Sequence, residues 1–153
     1  MFGNLSEEGV EEVLKHQLLG HIGCHANNMT YVVPICYAYD GKYIYGRTFE
    51  GMKITMMREN PKVCFQVEHL ESMVNWQSVI CWGEFEELTD INKRNKGIEV
   101  LQNRVSAVMG DKTLQLSPHW PFSISELDSV IGIIFCISLN EKTGRFENSD
   151  PNQ

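Results

Sequence analysis

Four residues that can bind an anion follow one another within a short stretch of the sequence. Arg47 and Thr48 stand together, and Lys53 follows after a loop that contains Gly51. Arginine offers a planar fork of donors, threonine a hydroxyl and lysine a compact positive charge, while glycine lets the backbone approach an anion closely. These residue types and this spacing predict a phosphate-binding corner. The alternative is two ordinary solvated charges beside a glycine turn.

A β-hairpin followed by a short helix must position this corner. Tyr31–Tyr39 and Lys42–Thr48 are two β-rich runs, and Asp40-Gly41 between them tolerates the positive φ angles of a tight hairpin turn. The second run ends at the arginine and the threonine. A helix predicted over roughly Met52–Glu59 then places Lys53 in its first turn, where free N–H groups attract phosphate.

Pro34 is the irregular residue of the first run. Proline cannot donate to a sheet ladder, so it belongs at an edge, at a bulge, or where the backbone faces something other than a strand. A bound planar ligand is one such partner. Most aromatic residues around the hairpin are expected to pack in the core or across strands, and one or two could flank a heteroaromatic ring.

The remaining pattern predicts a small β-rich domain with helices between its strands. A first helix capped by Ser6 is expected to end near Leu19-Gly20. The other predicted elements are a strand over His21–Ala26, a turn at Asn27-Asn28, a strand closing on Asn60–Phe65, a loop over His69–Asn75, a strand over Trp76–Leu88, a helix from Thr89 or Asp90 to about Met109, a strand over Val130–Leu139 and a polar tail over Glu141–Gln153. About six strands in near-meander order predict a closed or split antiparallel barrel.

Composition limits the partners and the compartment. The 153 residues make one domain, and the net charge of −7 disfavours nucleic acid and anionic membranes as partners. No apolar run approaches the roughly 20 residues that span a bilayer, and the N-terminus lacks a secretory pattern, so we expect a cytoplasmic protein. Five scattered cysteines without a Cys-x-x-Cys pair indicate reduced core residues.

No other set of residues predicts catalytic machinery. His21 and His25 would share one face of a strand, but no third metal ligand is evident nearby, so packed or surface histidines are the preferred interpretation. The sequence has no nucleophile elbow, no glycine-rich dinucleotide motif and no paired carboxylates at a plausible site. The residues alone therefore predict anion binding without acid–base chemistry.

A series of motifs, taken together, resembles one flavoprotein family. They are Tyr31-Val-Val-Pro-Ile-Cys-Tyr-Ala-Tyr-Asp40, Tyr43-Ile-Tyr-Gly-Arg-Thr48, Gly51-Met-Lys53, Met57-Arg-Glu-Asn-Pro-Lys-Val-Cys-Phe65 and Trp76-Gln-Ser-Val79. In this order they resemble the FMN-binding split barrel of the pyridoxamine-phosphate-oxidase-like superfamily, and within it the small flavoproteins grouped with 5-nitroimidazole-resistance proteins. The resemblance covers about residues 10 to 140.

The resemblance implies a homodimer with two FMN sites at the subunit interface. Arg47, Thr48 and Lys53 would hold the FMN phosphate, although family members commonly have histidine at the arginine position. The other implied contacts are the backbone of Val33, Pro34 and Ile35 to the isoalloxazine ring, Trp76, Gln77 and Ser78 to the ribityl-phosphate region, and Trp120 to the ring from the partner subunit.

The function implied is an FMN-dependent reductase of small planar acceptors such as nitroimidazoles. The alternatives are a non-catalytic flavin-binding protein, and a haem-handling relative of the split barrel with His21, His25 or His119 as an axial ligand. Vitamin B6 oxidation is not implied, because the chain lacks the arginine-rich C-terminal motif of true pyridoxamine phosphate oxidase. A flavin supplies the redox chemistry in such proteins, which agrees with the lack of a catalytic acid or base.

Overall fold

The computed structural model describes residues 1–109 and 130–149 of the chain. In these residues seven strands and three helices follow one another. They are β1 (Phe2–Asn4), α1 (Glu7–His16), β2 (Leu19–Ala26), β3 (Met29–Tyr39), β4 (Tyr43–Thr48), α2 (Met52–Glu59), β5 (Lys62–Ser72), β6 (Asn75–Glu87), α3 (Ile91–Met109) and β7 (Ile133–Asn148).

The strands form one antiparallel sheet that closes on itself. Their order is β1-β7-β4-β3-β2-β5-β6, and an additional pairing of β6 with β7 completes the ring. β7 pairs with β6 over most of its length, while its other edge pairs first with β4 and then with β1. The predicted mainly β fold, an antiparallel split barrel with flanking helices, is confirmed.

Two predicted turns set the register of the hairpins. Asn27 and Asn28 both have positive φ angles, of 52° and 61°, between β2 and β3. Gly41 has φ 96° between β3 and β4, and the Oδ1 atom of Asp40 accepts hydrogen bonds from the backbone N–H groups of Lys42 and Tyr43 at 2.9 and 2.7 Å. Asparagine, aspartate and glycine adopt the backbone angles of such turns more easily than other residues, and both turns could therefore be predicted from the sequence.

The core consists of two apolar clusters on opposite faces of the sheet. The cluster inside the barrel includes Tyr37 and Phe65, whose rings meet edge to face at 4.8 Å, and α1 closes one end with Leu14. The second cluster lies beneath α3, where Ile98 and Leu101 pack on the outer side of β4 and β7. This packing fixes the end of β4, and with it the predicted corner.

Strand β1 was not predicted, several strand ends differ from the prediction by one to three residues, and three differences are larger. α1 ends at His16 rather than near Leu19-Gly20, because Leu18 already accepts a hydrogen bond from the backbone of Tyr37. The predicted loop over 69–75 is largely strand, with a tight turn between Ser72 and Asn75. Residues 141–148 of the predicted tail belong to β7, because a polar strand can pair along an edge without burying its side chains.

Gly83 is required where β6 and β7 change register. A Cβ atom at this position would lie 1.9 Å from the carbonyl oxygen of Ser138. We expect Gly83→Ala to destabilise the protein by about 2–3 kcal/mol, because backbone on both sides cannot move away easily. Thermal unfolding measures this loss. Gly9→Ala in α1 is the control, and it should leave the melting temperature unchanged or raise it, because alanine favours a helix.

Candidate functional site

The barrel is split between β3 and β4. Their ladder comprises three pairs, the last of which joins Tyr37 to Gly46. If the register continued, Ile35 would lie opposite Thr48, but the ladder contains no such pair. Backbone groups of Val33–Cys36 therefore face those at the end of β4 across an opening, which we call the β3–β4 gap. Among residues 1–109 and 130–149 no strand pairs with these backbone donors and acceptors, which a ligand could therefore use.

Pro34 lies in this open part of β3. Its strand pairs with β2, where Pro34 is opposite His21, and the other edge has no partner at this level among the residues that the structure describes. The edge interpretation of the proline is thus confirmed. A residue without an N–H group removes one donor from the open edge and discourages a further strand from pairing there.

The N-terminus of α2 begins three residues after β4. Gly51 is its N-cap and has an extended backbone, no side chain caps the helix, and the N–H of Thr55 already bonds to the carbonyl oxygen of Gly51 at 3.1 Å. The N–H groups of Met52, Lys53 and Ile54 therefore lack partners within the helix. A Cβ atom on Gly51 would meet nothing within 4 Å in the described part of the chain, so there is free space beside the helix start.

Lys53 is a half-buried cation in the first turn of α2. Burial lowers the pKa of its amine below the ordinary 10.5, and the nearby thiol of Cys24 opposes that shift. Within residues 1–109 and 130–149, no carboxylate forms an ion pair with Lys53. A partly desolvated cation at a helix N-terminus gains strongly from a bound anion.

Arg47 lies at the end of β4 and is held by the segment that precedes β7. Its Nε atom donates to the carbonyl oxygen of Ile131 at 2.7 Å, and its guanidinium lies 5.1 Å from the ring centre of Phe49. Burial, and then the neighbouring Arg94, lower the pKa of Arg47. Two guanidinium groups close together make this corner more positive than either does alone.

Arg94 is the residue near the site that the sequence analysis missed. It lies in the first turn of α3 and donates to the carbonyl oxygen of Val130 at 2.7 Å. A cation is unfavourable near the N-terminus of a helix, and this unusual position is the signal that could have revealed it. This hydrogen bond holds the segment before β7 in place, and the same segment accepts the hydrogen bond from Arg47 at the carbonyl oxygen of Ile131.

Thr48 carries a hydroxyl at the end of β4, beside the β3–β4 gap. Within the described residues, its Oγ1 atom makes one long hydrogen bond, 3.4 Å, to the carbonyl oxygen of Phe49. Gly132, with φ 102°, packs against the backbone of Thr48, where an added Cβ atom would lie 2.9 Å from the carbonyl oxygen. Only glycine fits this close approach without strain. The end of β4 is therefore fixed while its hydroxyl can turn toward a ligand.

Trp76, Gln77 and Ser78 lie near the start of β6, three strands away from β3. Val79, which follows them, is in one cross-strand row with Val67, Gly20 and Ile35, so three strand spacings or roughly 14 Å separate Val79 from Ile35 of the β3–β4 gap. Along β7, the partners of Gln77 and Thr48 are thirteen residues apart. The three residues line an open groove of about 400 Å³ with Glu68, Leu70 and Met73, and the Nε1 atom of Trp76 donates to Glu147 at 3.0 Å.

Of the other candidate residues, His21 and His25 lie in the described part of the chain. Trp120 and His119 lie outside the described residues. His25 is exposed and bonds through Nδ1 to the hydroxyl of Thr30 at 3.0 Å, while His21 is half-buried. In the described part of the chain, no three His, Cys, Asp or Glu side chains are grouped to hold a metal ion. None of the described helices has both the length and the apolar character needed to span a membrane.

The fold and the site define a split antiparallel barrel with a cationic corner beside the split. The family model described as pyridoxamine 5'-phosphate oxidase matches residues 6–119, so the chain belongs to this family. An uncharacterized protein of Rhizobium meliloti (strain 1021) is 30% identical over an alignment of 148 residues, and the match covers 92% of this chain and 92% of that protein.

Solved structures share the whole fold. An FAD-binding protein from Mesorhizobium loti is 26% identical with a TM-score of 0.74, and the match covers 97% of this chain and 99% of that one. A candidate 5-nitroimidazole antibiotic resistance protein from Bacteroides thetaiotaomicron has a TM-score of 0.71 at 16% identity, over 95% of this chain and 87% of that one. The second likeness concerns the fold alone.

Proposed function

We propose that this protein binds FMN in the β3–β4 gap and acts as an oxidoreductase that reduces small planar acceptors such as nitroimidazoles. The observation that carries the proposal is the open N-terminus of α2 with half-buried Lys53 in its first turn, next to the split in the barrel. The FAD-binding relative supports a flavin as the ligand. A cytoplasmic location stays a prediction from the sequence.

The gap and the corner suit the two ends of FMN. Lys53, the α2 N–H groups, Thr48 and Arg47 would hold the terminal phosphate, because they combine charge with directional donors. The backbone edge of Val33–Ile35 would lie along the ring, whose polar edge can exchange hydrogen bonds with N–H and C=O groups. When bound, the flavin would supply the electron transfer, and the chain would hold and orient it.

We further propose a homodimer, because an apolar row crosses the outer face of β3, β2, β5 and β6, and no residue in the described part of the chain covers it. Val32 is 63% exposed and Trp82 42% exposed, and they belong to one row that crosses the sheet through Gly23 and Cys64. A second copy on this face would bury the row. It would also supply its own Trp76–Ser78 to the β3–β4 gap.

The absorption spectrum of the purified protein tests the cofactor. We expect the bands of an oxidised flavin, with FMN rather than FAD as the released species by mass. FAD in the released fraction would correct the cofactor, and protein that stays colourless after incubation with either flavin would contradict the proposal.

A second assay separates the enzyme from a non-catalytic flavin-binding protein. The FMN-loaded protein is reduced chemically without oxygen and mixed with a nitroimidazole. Reoxidation of the flavin with loss of the nitro-group absorbance supports the reductase. Stable reduced flavin in the presence of the acceptor would favour a binding protein instead.

A further inference from the structure

Arg58, at the end of α2, is joined to two carboxylates at the edge of the phosphate corner. Its NH1 and NH2 atoms both donate to Glu50 at 2.9 Å. Its Nε and NH2 atoms donate to Glu87 at 2.8 and 2.9 Å. One guanidinium thus makes two bidentate ion pairs, the geometry in which arginine binds carboxylates most specifically.

Both carboxylates belong to elements that form the corner. Glu50 precedes Gly51, and its Cα atom is therefore within about 7.6 Å of that of Met52, whose N–H group opens α2. Glu87 is opposite Phe135 on β7, at the same end of the barrel as Arg47. These separations are comparable to the Debye length of about 8 Å at physiological ionic strength, so an uncompensated carboxylate would repel a phosphate there.

We propose that Arg58 is a positioning residue for the phosphate: it neutralises Glu50 and Glu87 and anchors the Phe49–Gly51 loop that leads into α2. This inference rests on the proposed FMN function. The guanidinium makes four hydrogen bonds to the two carboxylates, so its role is to neutralise their charge and to hold the loop. Lys53 and the helix N–H groups are the ones that would contact the ligand.

The arrangement has a structural side, because the pair with Glu87 joins α2 to β6 and a bidentate network can stabilise a fold. The side chains of Arg58 and Glu50 are 40% and 68% exposed, so the pair with Glu50 contributes less to folding. A role in ligand binding predicts a different signature. Loss of the arginine should weaken the binding of a ligand that carries a phosphate, and it should leave the binding of the same ligand without the phosphate unchanged.

The test compares FMN with riboflavin, which lacks the phosphate, by titration of flavin fluorescence. Arg58→Leu should raise the Kd for FMN roughly three- to tenfold, because freed carboxylates act on a dianion at short range, and should leave that for riboflavin within about twofold. Lys93→Leu is the matched control, since it removes one cation of α3 from an exposed ion pair with Glu86 of β6. It should change neither constant.

The double variant Arg58→Leu/Glu50→Gln distinguishes neutralisation from direct contact. If Arg58 acts by compensating Glu50, the second substitution restores at least half of the lost affinity on a logarithmic scale. An arginine that contacts the phosphate itself would give no recovery, and that result overturns the inference. An equal loss for both flavins also overturns it, since the effect would then be structural.

Arg58→Lys and the wild type complete the design. Lysine keeps the positive charge but cannot form the two bidentate ion pairs, so the Kd of Arg58→Lys for FMN should lie between those of the wild type and Arg58→Leu. Arg58→Lys also replaces Arg58→Leu in the test if the leucine variant does not fold. Unchanged affinity in both substitutions overturns the inference while the proposed function stands. A wild type that binds neither flavin overturns the proposed function itself, and the inference with it.

Discussion

Lys53→Ala is expected to raise the Kd for FMN about ten- to a hundredfold. A charge-assisted hydrogen bond contributes about 1.5–3 kcal/mol, and each 1.4 kcal/mol corresponds to a factor of ten in affinity. The effect should be large because Lys53 is half-buried and has no carboxylate partner in the described parts of the chain, so a phosphate would be its main counter-charge. Titration of flavin fluorescence with FMN and with riboflavin measures it, and riboflavin should bind both proteins alike.

The pH dependence adds a second signature for Lys53. Phosphate binding requires the protonated amine, so FMN affinity of the wild type should fall as pH rises through the pKa of Lys53, which burial holds below 10.5. In Lys53→Ala this fall should disappear. Lys96→Ala removes an exposed cation from α3 and should retain both the affinity and its pH profile. An unchanged Kd in Lys53→Ala would count against the phosphate assignment.

Local chemistry explains why much of the fold could be predicted. The positive φ angles at Asn27-Asn28 and Gly41 follow from residue type alone, as does the Ser6 cap of α1, whose hydroxyl accepts from the N–H of Gly9 at 3.1 Å. The open edge at Pro34 follows from its missing N–H. Each feature is decided within a few residues, so neighbours in sequence suffice to predict it.

Long-range pairing decides what could not be predicted. Residues 141–148 are polar and resemble a tail, yet β6 offers them an edge, and their strand character comes from that partner. Arg94 is nearly fifty residues from Arg47, and only the approach of the segment before β7 brings both guanidinium groups to one corner. The position of Trp76–Ser78 relative to the gap likewise depends on the registers of β2, β5 and β6, which sequence spacing does not reveal.

Val32→Asp is expected to convert the proposed homodimer into monomers. Val32 is 63% exposed on the uncovered sheet face, in the row that reaches Trp82. Two copies packed on this face would bury the new carboxylate without a partner, which costs far more than the interface gains from one valine. Light scattering after gel filtration should show the mass fall from about twice 17.5 kDa to 17.5 kDa.

The same substitution should weaken flavin binding, which links the interface to the site. If Trp76–Ser78 of a second copy complete the β3–β4 gap, monomers lose these contacts although Lys53 and Arg47 are intact. Ile91→Asp is the control, because Ile91 is 61% exposed at the start of α3, where a carboxylate favours the helix. It should retain the dimer and the flavin. A monomeric Val32→Asp protein with wild-type FMN affinity would show that one chain holds the cofactor by itself, and a wild type of 17.5 kDa would contradict the homodimer.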